Sequence, residues 1–360
     1  MIIGGGGTGG HIFPALAIAD EIKLQYPNAE IQFVGAQDRM EMERIPKAGY
    51  PIEGLPVRGL YRKLTLKNIG VVRDYLKCVR KARNIIRNFK PDIVIGVGGY
   101  ASAPVVRAAA KVKIPTLIQE QNSFAGMTNR MLAKKVKKIC VAYEGMENYF
   151  PGEKIVLTGN PVRSFTLSDE LKEEAYTFFE MSREKPVMLI IGGSLGARSV
   201  NNAMKKSIHE LLQNNIQVIW QTGKIYFEEM KAATKDLPTD GFKLVDFISR
   251  MDLAYNLSDL VVSRAGALSI SEICLIGKAS ILVPSPNVAE DHQTKNALTL
   301  VNKGAAKMLN DNEVLEELCD TVIPLMQDKD ALQQLSEHAL SMAKPTATKD
   351  IVEQIKKLIE

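Results

Sequence analysis

Apolar residues along the chain fall in short runs, and most of these runs end on glycine or polar clusters. Met1-Ile2-Ile3 leads into Gly4-Gly5-Gly6-Gly7-Thr8-Gly9-Gly10-His11 and then into the apolar stretch Ile12 to Ala19. That order predicts a strand, a glycine turn and a helix. Glu30 to Gly35 and Pro51 to Val57 add two strand-like stretches, so the opening already has a βαβ pattern. Pro91 to Ser102 predicts a buried strand ending in Gly98-Gly99-Tyr100, and Thr116 to Asn122 a strand running out into Glu120-Gln121-Asn122. Lys138 to Ala142 and Ile155 to Arg163 supply two more strands and close a first half.

After a charged, helical segment from Ser164 to Lys185, Pro186 to Arg198 repeats the opening arrangement around Gly192-Gly193-Ser194-Leu195-Gly196-Ala197. Strands are predicted at Gln217 to Trp220, Phe242 to Val245, Asp259 to Val262 and Ser280 to Pro286, and a terminal helix carries Ile351, Ile355 and Leu358 on one face. A strand–glycine turn–helix unit that occurs twice predicts an α/β protein of two Rossmann-like domains, with parallel sheets facing across a cleft. The divisions are 1–163, 164–343 and a terminal helix at 344–360 that can cross back to the first domain.

Composition narrows the class. A chain of 360 residues exceeds the size of one growing core, which favours two domains of about 150 to 200 residues. With 46% hydrophobic and 24% charged residues it has the make-up of a globular protein. No apolar run reaches the roughly 18 to 20 residues of a membrane span. Cys78, Cys140, Cys274 and Cys319 lack paired or metal-like spacing, and no signal pattern opens the chain, which suits a reducing, cytoplasmic setting. The net charge of +5 is mild, but Arg58 to Lys90 sets many cations against the single acid Asp74. Apolar Val72, Leu76 and Val79 lie among these cations at helical spacing. Such a helix suits an anionic membrane surface, or it buries its apolar side in the core and solvates its cations. Lys134, Lys135, Lys137 and Lys138 form a second basic cluster.

In open α/β sheets ligands bind beyond the carboxyl ends of the strands, so Gly4 to His11, Gly98 to Ser102 and Glu120 to Asn122 converge on one edge. Glycines at such a turn let a ligand approach the backbone, and the helix that follows presents N–H groups to an oxygen-rich or anionic ligand. His11 at the mouth of the turn is either a base for a bound hydroxyl or a helix-start histidine that caps or packs. Ser263 to Cys274 predicts a second anion site at a helix start. There Glu272 is either an acceptor for ligand hydroxyls or a solvated helix residue, and Gln293 follows as a possible cleft amide. Gly5-x-Gly7-x-x-Gly10 also fits a dinucleotide fingerprint, but Glu30 and Asp38 are poor candidates for the ribose acid.

Gly6 to His11, Gly98-Gly99-Tyr100, Glu120-Gln121-Asn122, Gly159 to Arg163, Gly192 to Ala197, Arg264 to Ala267 with Ser271-Glu272, and Gln293 with Asn296-Ala297 together resemble the MurG family in order and spacing. The resemblance covers nearly the whole chain. It implies a peripheral GT-B glycosyltransferase on the cytoplasmic face of the cell membrane. The implied reaction is inverting transfer of N-acetylglucosamine from UDP-N-acetylglucosamine to the muramic acid 4-hydroxyl of undecaprenyl-linked lipid I, giving lipid II for peptidoglycan.

By the same resemblance His11 is the acceptor-side base, with Thr8, Gly9, Gly10 and Asn122 lining the acceptor side. Arg163 and Ser194 contact diphosphate and nucleotide, and the backbone of Ile248 reads uracil. Ala267, Leu268, Ser269, Ile270, Ser271 and Glu272 form the donor loop and helix, with Glu272 at the ribose and Gln293 at the sugar. No cofactor, metal or nucleic acid is expected, since a helix end with Arg163 or Arg264 can stabilise the leaving diphosphate. Gln119 stands where the family tetrad begins with His. The rivals are a nicotinamide oxidoreductase, a non-enzymatic membrane or RNA surface protein, and, within the same fold, an epimerase or another lipid-linked transferase.

Overall fold

The computed structural model describes residues 1–57, 67–163, 165–193, 195–238 and 240–360, the side chains of 67–73 and 289 excepted. Two compact units emerge, Met1–Arg163 with Lys344–Glu360, and Ser164–Ala343. The first contains β1 (Ile2–Gly4), β2 (Gln32–Ala36), β3 (Ile52–Leu55), β4 (Val94–Gly96), β5 (Thr116–Glu120), β6 (Lys138–Val141) and β7 (Ile155–Leu157). They form one parallel sheet in the order β3-β2-β1-β4-β5-β6-β7. The second contains β8 (Val187–Ile191), β9 (Gln217–Gln221), β10 (Phe242–Val245), β11 (Leu260–Ser263), β12 (Ala279–Leu282) and β13 (Lys307–Met308), parallel in the order β10-β9-β8-β11-β12-β13. With two residues, β13 is too short for any periodicity to announce it.

Helices cover both faces of each sheet, which is why the strands read as continuous apolar runs. Successive side chains point to opposite faces. Ile2 therefore packs with Cys78, Ala82 and Val105, while Ile3 packs with Ile12, Ile18 and Ile351. In the second unit Met188 and Ile190 join Val200, Met204 and Trp220, and Leu189 faces Leu253, Ile270 and Ile273.

The tail completes the first unit. Helix Ala347–Ile359 buries Ile351, Val352 and Ile355 against the helix Gly9–Gln25. Gly159 (φ +90°), just past β7, makes room for the returning chain, since a Cβ there would come within 2.8 Å of Lys344 Cγ.

Helix Lys67–Phe89 takes up most of the basic stretch, whereas Arg58, Arg62, Lys63, Leu64 and Leu66 lie outside the described residues. The expected apolar stripe is split: Val79 is 8% exposed and Leu76 58%, while the side chain of Val72 lies outside the description. The helix turns Cys78, Ala82, Ile85 and Ile86 into the core and Lys77, Arg80, Arg83 and Arg87 outward.

Helix Ala267–Ile276 ends at Gly277 in the left-handed region, and Lys278 then donates from Nζ to the Ser258 carbonyl at 2.7 Å. Burial lowers the Lys278 ammonium from 10.5 to about 8, against the pull of Asp259. Between those two pH values the unfolded chain binds more protons at this site than the folded chain, so folding gains stability as pH rises through that window. Urea unfolding of wild type and Lys278→Met from pH 7.5 to 10 should show the wild type gaining on the variant with pH; a pH-independent difference would remove this linkage.

Candidate active site

In each sheet the strand order reverses between two neighbours, and the crevice beyond their carboxyl ends is where α/β sheets bind ligands. In the first unit those neighbours are β1 and β4, whose exits are Gly4 to Gly10 and Gly96 to Tyr100. The two loops touch backbone to backbone. A Cβ on Gly99 (φ +79°) would run into the Gly6 carbonyl, and one on Gly98 (φ +91°) would come within 2.8 Å of His11 Nε2. The His11 ring thus lies against the Gly98-Gly99 turn. Thr8 is the N-cap residue of helix Gly9–Gln25 but makes no side-chain cap, and its hydroxyl lies 3.3 Å from His11 Nδ1. His11 and Ile12 donate their N–H groups to the Thr8 carbonyl, leaving the N–H groups of Gly9 and Gly10 at the open end of the helix.

Arg163 belongs to the same edge, its guanidinium 5.9 Å from the ring of half-exposed Phe13, two residues beyond His11. Asn122 is also brought there. Its backbone and side-chain N–H groups both donate to Oε1 of Glu120, at 3.1 and 3.2 Å. Oε2 of Glu120 accepts from Gly126 N at 3.0 Å and Asn129 Nδ2 at 2.9 Å. Burial raises the Glu120 carboxyl above its ordinary value, and these four donors pull the other way. Gln119 is buried, donating to Asn160 Oδ1 at 3.0 Å and accepting from Gln121, which also donates to the Val97 carbonyl. It is therefore a member of the frame under the loop.

In the second unit the reversal lies between β8 and β11, so the turn after Ile191 and the start of helix Ala267–Ile276 share an edge. Ser194 lies outside the described residues. Around it the turn is tight: Gly193 O accepts from Gly196 N and from Gln221 Nε2, both at 2.9 Å. Helix Ala267–Ile276 begins after Gly266 without a side-chain cap, so Leu268 and Ser269 present N–H groups at its positive end. Ser271 Oγ donates back to the Ala267 carbonyl, and Ile270 is core.

Glu272 is half-buried and accepts from Tyr255 Oη at 3.0 Å. Burial, then the facing carboxylate, raises the Tyr255 phenol well above its ordinary value, so it stays a donor. Gln293, in the first turn of helix His292–Val301, accepts from Ser285 N at 2.9 Å through Oε1, which turns its NH2 group to other partners. The Ile248 side chain is core, leaving its backbone as the polar part.

Arg264 departs from its expected role. Its guanidinium donates to Asp311 Oδ1 (2.5 Å), the Val283 and Pro284 carbonyls (3.1 and 3.2 Å) and Ser199 Oγ (2.8 Å). It clamps the β11 and β12 exits to helix Arg198–Gln213, and a guanidinium so committed is not a free contact for diphosphate. Tyr255 and Glu41 escaped the sequence reading, the first because it lies 17 residues from its partner, the second because Asp38 to Arg44 has the charge pattern of a solvated surface.

Comparison with known proteins gives the family. Residues 1–141 match the glycosyltransferase family 28 N-terminal domain and residues 187–355 its C-terminal domain. The chain belongs to glycosyltransferase family 28, and it is a hexosyltransferase. Within that class it belongs to the MurG family. It is 52% identical, over all of this chain and 98% of the other, to the UDP-N-acetylglucosamine--N-acetylmuramyl-(pentapeptide) pyrophosphoryl-undecaprenol N-acetylglucosamine transferase of Parabacteroides distasonis. The transferase of the same name from Flavobacterium psychrophilum is 49% identical over the same shares. The crystal structure of Acinetobacter baumannii MurG matches with a TM-score of 0.77 and 31% identity, covering 99% of this chain and 98% of that one. A Neisseria meningitidis UDP-GlcNAc 2-epimerase, at 13% identity and a TM-score of 0.66, shares the fold alone.

Proposed function

We propose that the chain transfers N-acetylglucosamine from UDP-N-acetylglucosamine to the muramic acid 4-hydroxyl of lipid I, with His11 as the base and the Ala267–Ile276 helix start as the diphosphate site. The carrying observation is His11, held by Thr8 over Gly98 at the switch point of the first sheet. For Nε2 to take a proton, Nδ1 must carry the ring hydrogen and donate it to Thr8 Oγ1, which gives Thr8 the task of fixing the tautomer. The acceptor oxygen attacks the anomeric carbon from the face opposite UDP, forming the new glycosidic bond as the carbon–oxygen bond to the diphosphate breaks. The proton passes to His11, and the charge left on UDP is met by the helix end and Arg163, so the chemistry needs no metal. Thr8, Gly9, Gly10 and Asn122 line the acceptor side. Ser194 and the Ile248 backbone serve the nucleotide, Glu272 the ribose hydroxyls, and the Gln293 NH2 group the sugar.

The acceptor's lipid carrier brings the chain to the membrane as a peripheral protein, and among the described residues no helix is long and apolar enough to cross one. Exposed Leu76 stands among Lys77, Arg80 and Arg83, and the helix packed beside it runs out into exposed Lys111, Val112 and Lys113. This surface suits anionic lipid. The nucleotide-sugar donor and the four free, buried cysteines favour the cytoplasmic face.

UDP release from UDP-N-acetylglucosamine should depend on added lipid I. His11→Ala should lower kcat by about 10²- to 10⁴-fold with UDP affinity nearly unchanged; near-normal kcat would remove His11 from the mechanism. Glu272→Ala should weaken donor binding about ten- to a few hundred-fold and lose the preference for UDP-N-acetylglucosamine over its 2′-deoxyuridine analogue. Equal discrimination in both proteins would place the ribose contact elsewhere. Replacing Lys77, Arg80 and Arg83 together with Gln should weaken binding to anionic liposomes at low salt while sparing turnover of a soluble acceptor; unchanged liposome binding would return this face to ordinary solvent.

A further inference from the structure

The first glycine turn holds an anion of its own. Glu41 opens the short helix Glu41–Lys47, yet it is only 1% exposed, because its side chain points back between the β1 and β2 exits. Oε2 accepts from Gly7 N at 2.9 Å, and Oε1 accepts from Ala36 N at 3.0 Å. Two glycines make room for it. A Cβ on Gly6 would overlap the carboxylate, and one on Gly35 would come 2.6 Å from Glu41 Cγ. The openness of this turn therefore serves a side chain of the protein as well as any ligand. The carboxylate also sits one residue before Thr8, whose carbonyl starts the helix and whose hydroxyl meets His11.

We propose that Glu41 is a positioning residue for the transfer reaction: a built-in carboxylate that takes the Gly7 amide, fixes the backbone from Gly6 to Thr8, and thereby sets the place of the His11 ring. The proposal rests on the reading of His11 as the base. Without the carboxylate the Gly7 and Ala36 N–H groups lose their shared acceptor, and a glycine-rich backbone has little else to hold its shape. Since misplacement of a reacting group by about 1 Å can cost about 10²-fold in rate, the effect belongs in kcat.

The test uses the full chain with Glu41→Gln and Glu41→Ala. Glutamine keeps the shape but turns one of the two acceptor atoms into an NH2 group facing an N–H. It should lower kcat about 10- to 100-fold while KM for UDP-N-acetylglucosamine stays within about two-fold. Alanine should lose at least as much, and added sodium formate, which can fill the vacated space and accept from the same two N–H groups, should restore about five-fold or more. A second readout needs no catalysis. The imidazole NMR signals of His11, assigned by comparison with His11→Ala, should shift in Glu41→Ala and move back with formate. Wild-type kcat and unshifted His11 signals in both variants would overturn the proposal. So would a fall in kcat matched by weaker donor binding and lower thermal stability, with no response to formate, because Glu41 would then be a general structural support. A wild type without acceptor-dependent UDP release would defeat the transferase reading instead, and the His11 signals would still decide whether Glu41 sets the ring.

Discussion

Neighbouring parallel strands deliver their loops to the same edge, and where two such loops pass at backbone distance the crossing leaves no room for a side chain. In the first unit that constraint is met between Gly6 and Gly99, where a single Cβ would strike a carbonyl. The site depends on this contact. Because the β4 exit is glycine, the Cδ2–Nε2 edge of the His11 ring can come close to it, and because the β1 exit is glycine, the Glu41 carboxylate can reach the Gly7 amide.

The two units share the order of their first six strands and differ in what stands at the switch point. At the first switch point the chain places an imidazole, with buried carboxylates under the neighbouring loops; Glu41 and Glu120 are the buried acids among the described residues, and both belong to this unit. At the second it places a helix start without a side-chain cap, and Arg264, just before it in the chain, is tied to Asp311 and to a strand-end carbonyl.

Rigidity on both edges comes from buried polar frames. Gln119, Gln121, Asn129 and Asn160 bind the β5 loop to its neighbours, and Asn201 accepts from Trp220 Nε1 and donates to the Thr222 carbonyl beside the second glycine turn. Such networks resist deformation when their groups are paired, since a buried polar group without a partner costs more than a paired one gains. Glu272 follows the same rule, its Oε2 accepting from the buried Tyr255 hydroxyl.

The local pattern by itself determined the strands longer than two residues, the glycine turns, the duplicated plan, the helical tail, the edge of the first sheet that carries His11 and Asn122 and, separately, the edge of the second that carries the helix of Glu272. These follow from short-range rules, since apolar runs must be buried and glycine marks the turns between elements. The tertiary structure decided what each polar side chain does there. Arg264 and Glu272 both follow a strand end, yet one is locked in a clamp of several acceptors and the other takes a tyrosine hydroxyl, because their partners Asp311 and Tyr255 are brought close only by folding. Leu76 and Val79 are both apolar on one helix, but only the sheet beneath distinguishes the exposed from the buried. Glu41 looks like a surface charge in sequence and is buried in the fold, because the amides that donate to it lie 34 residues before it and five residues before it on adjoining strand exits.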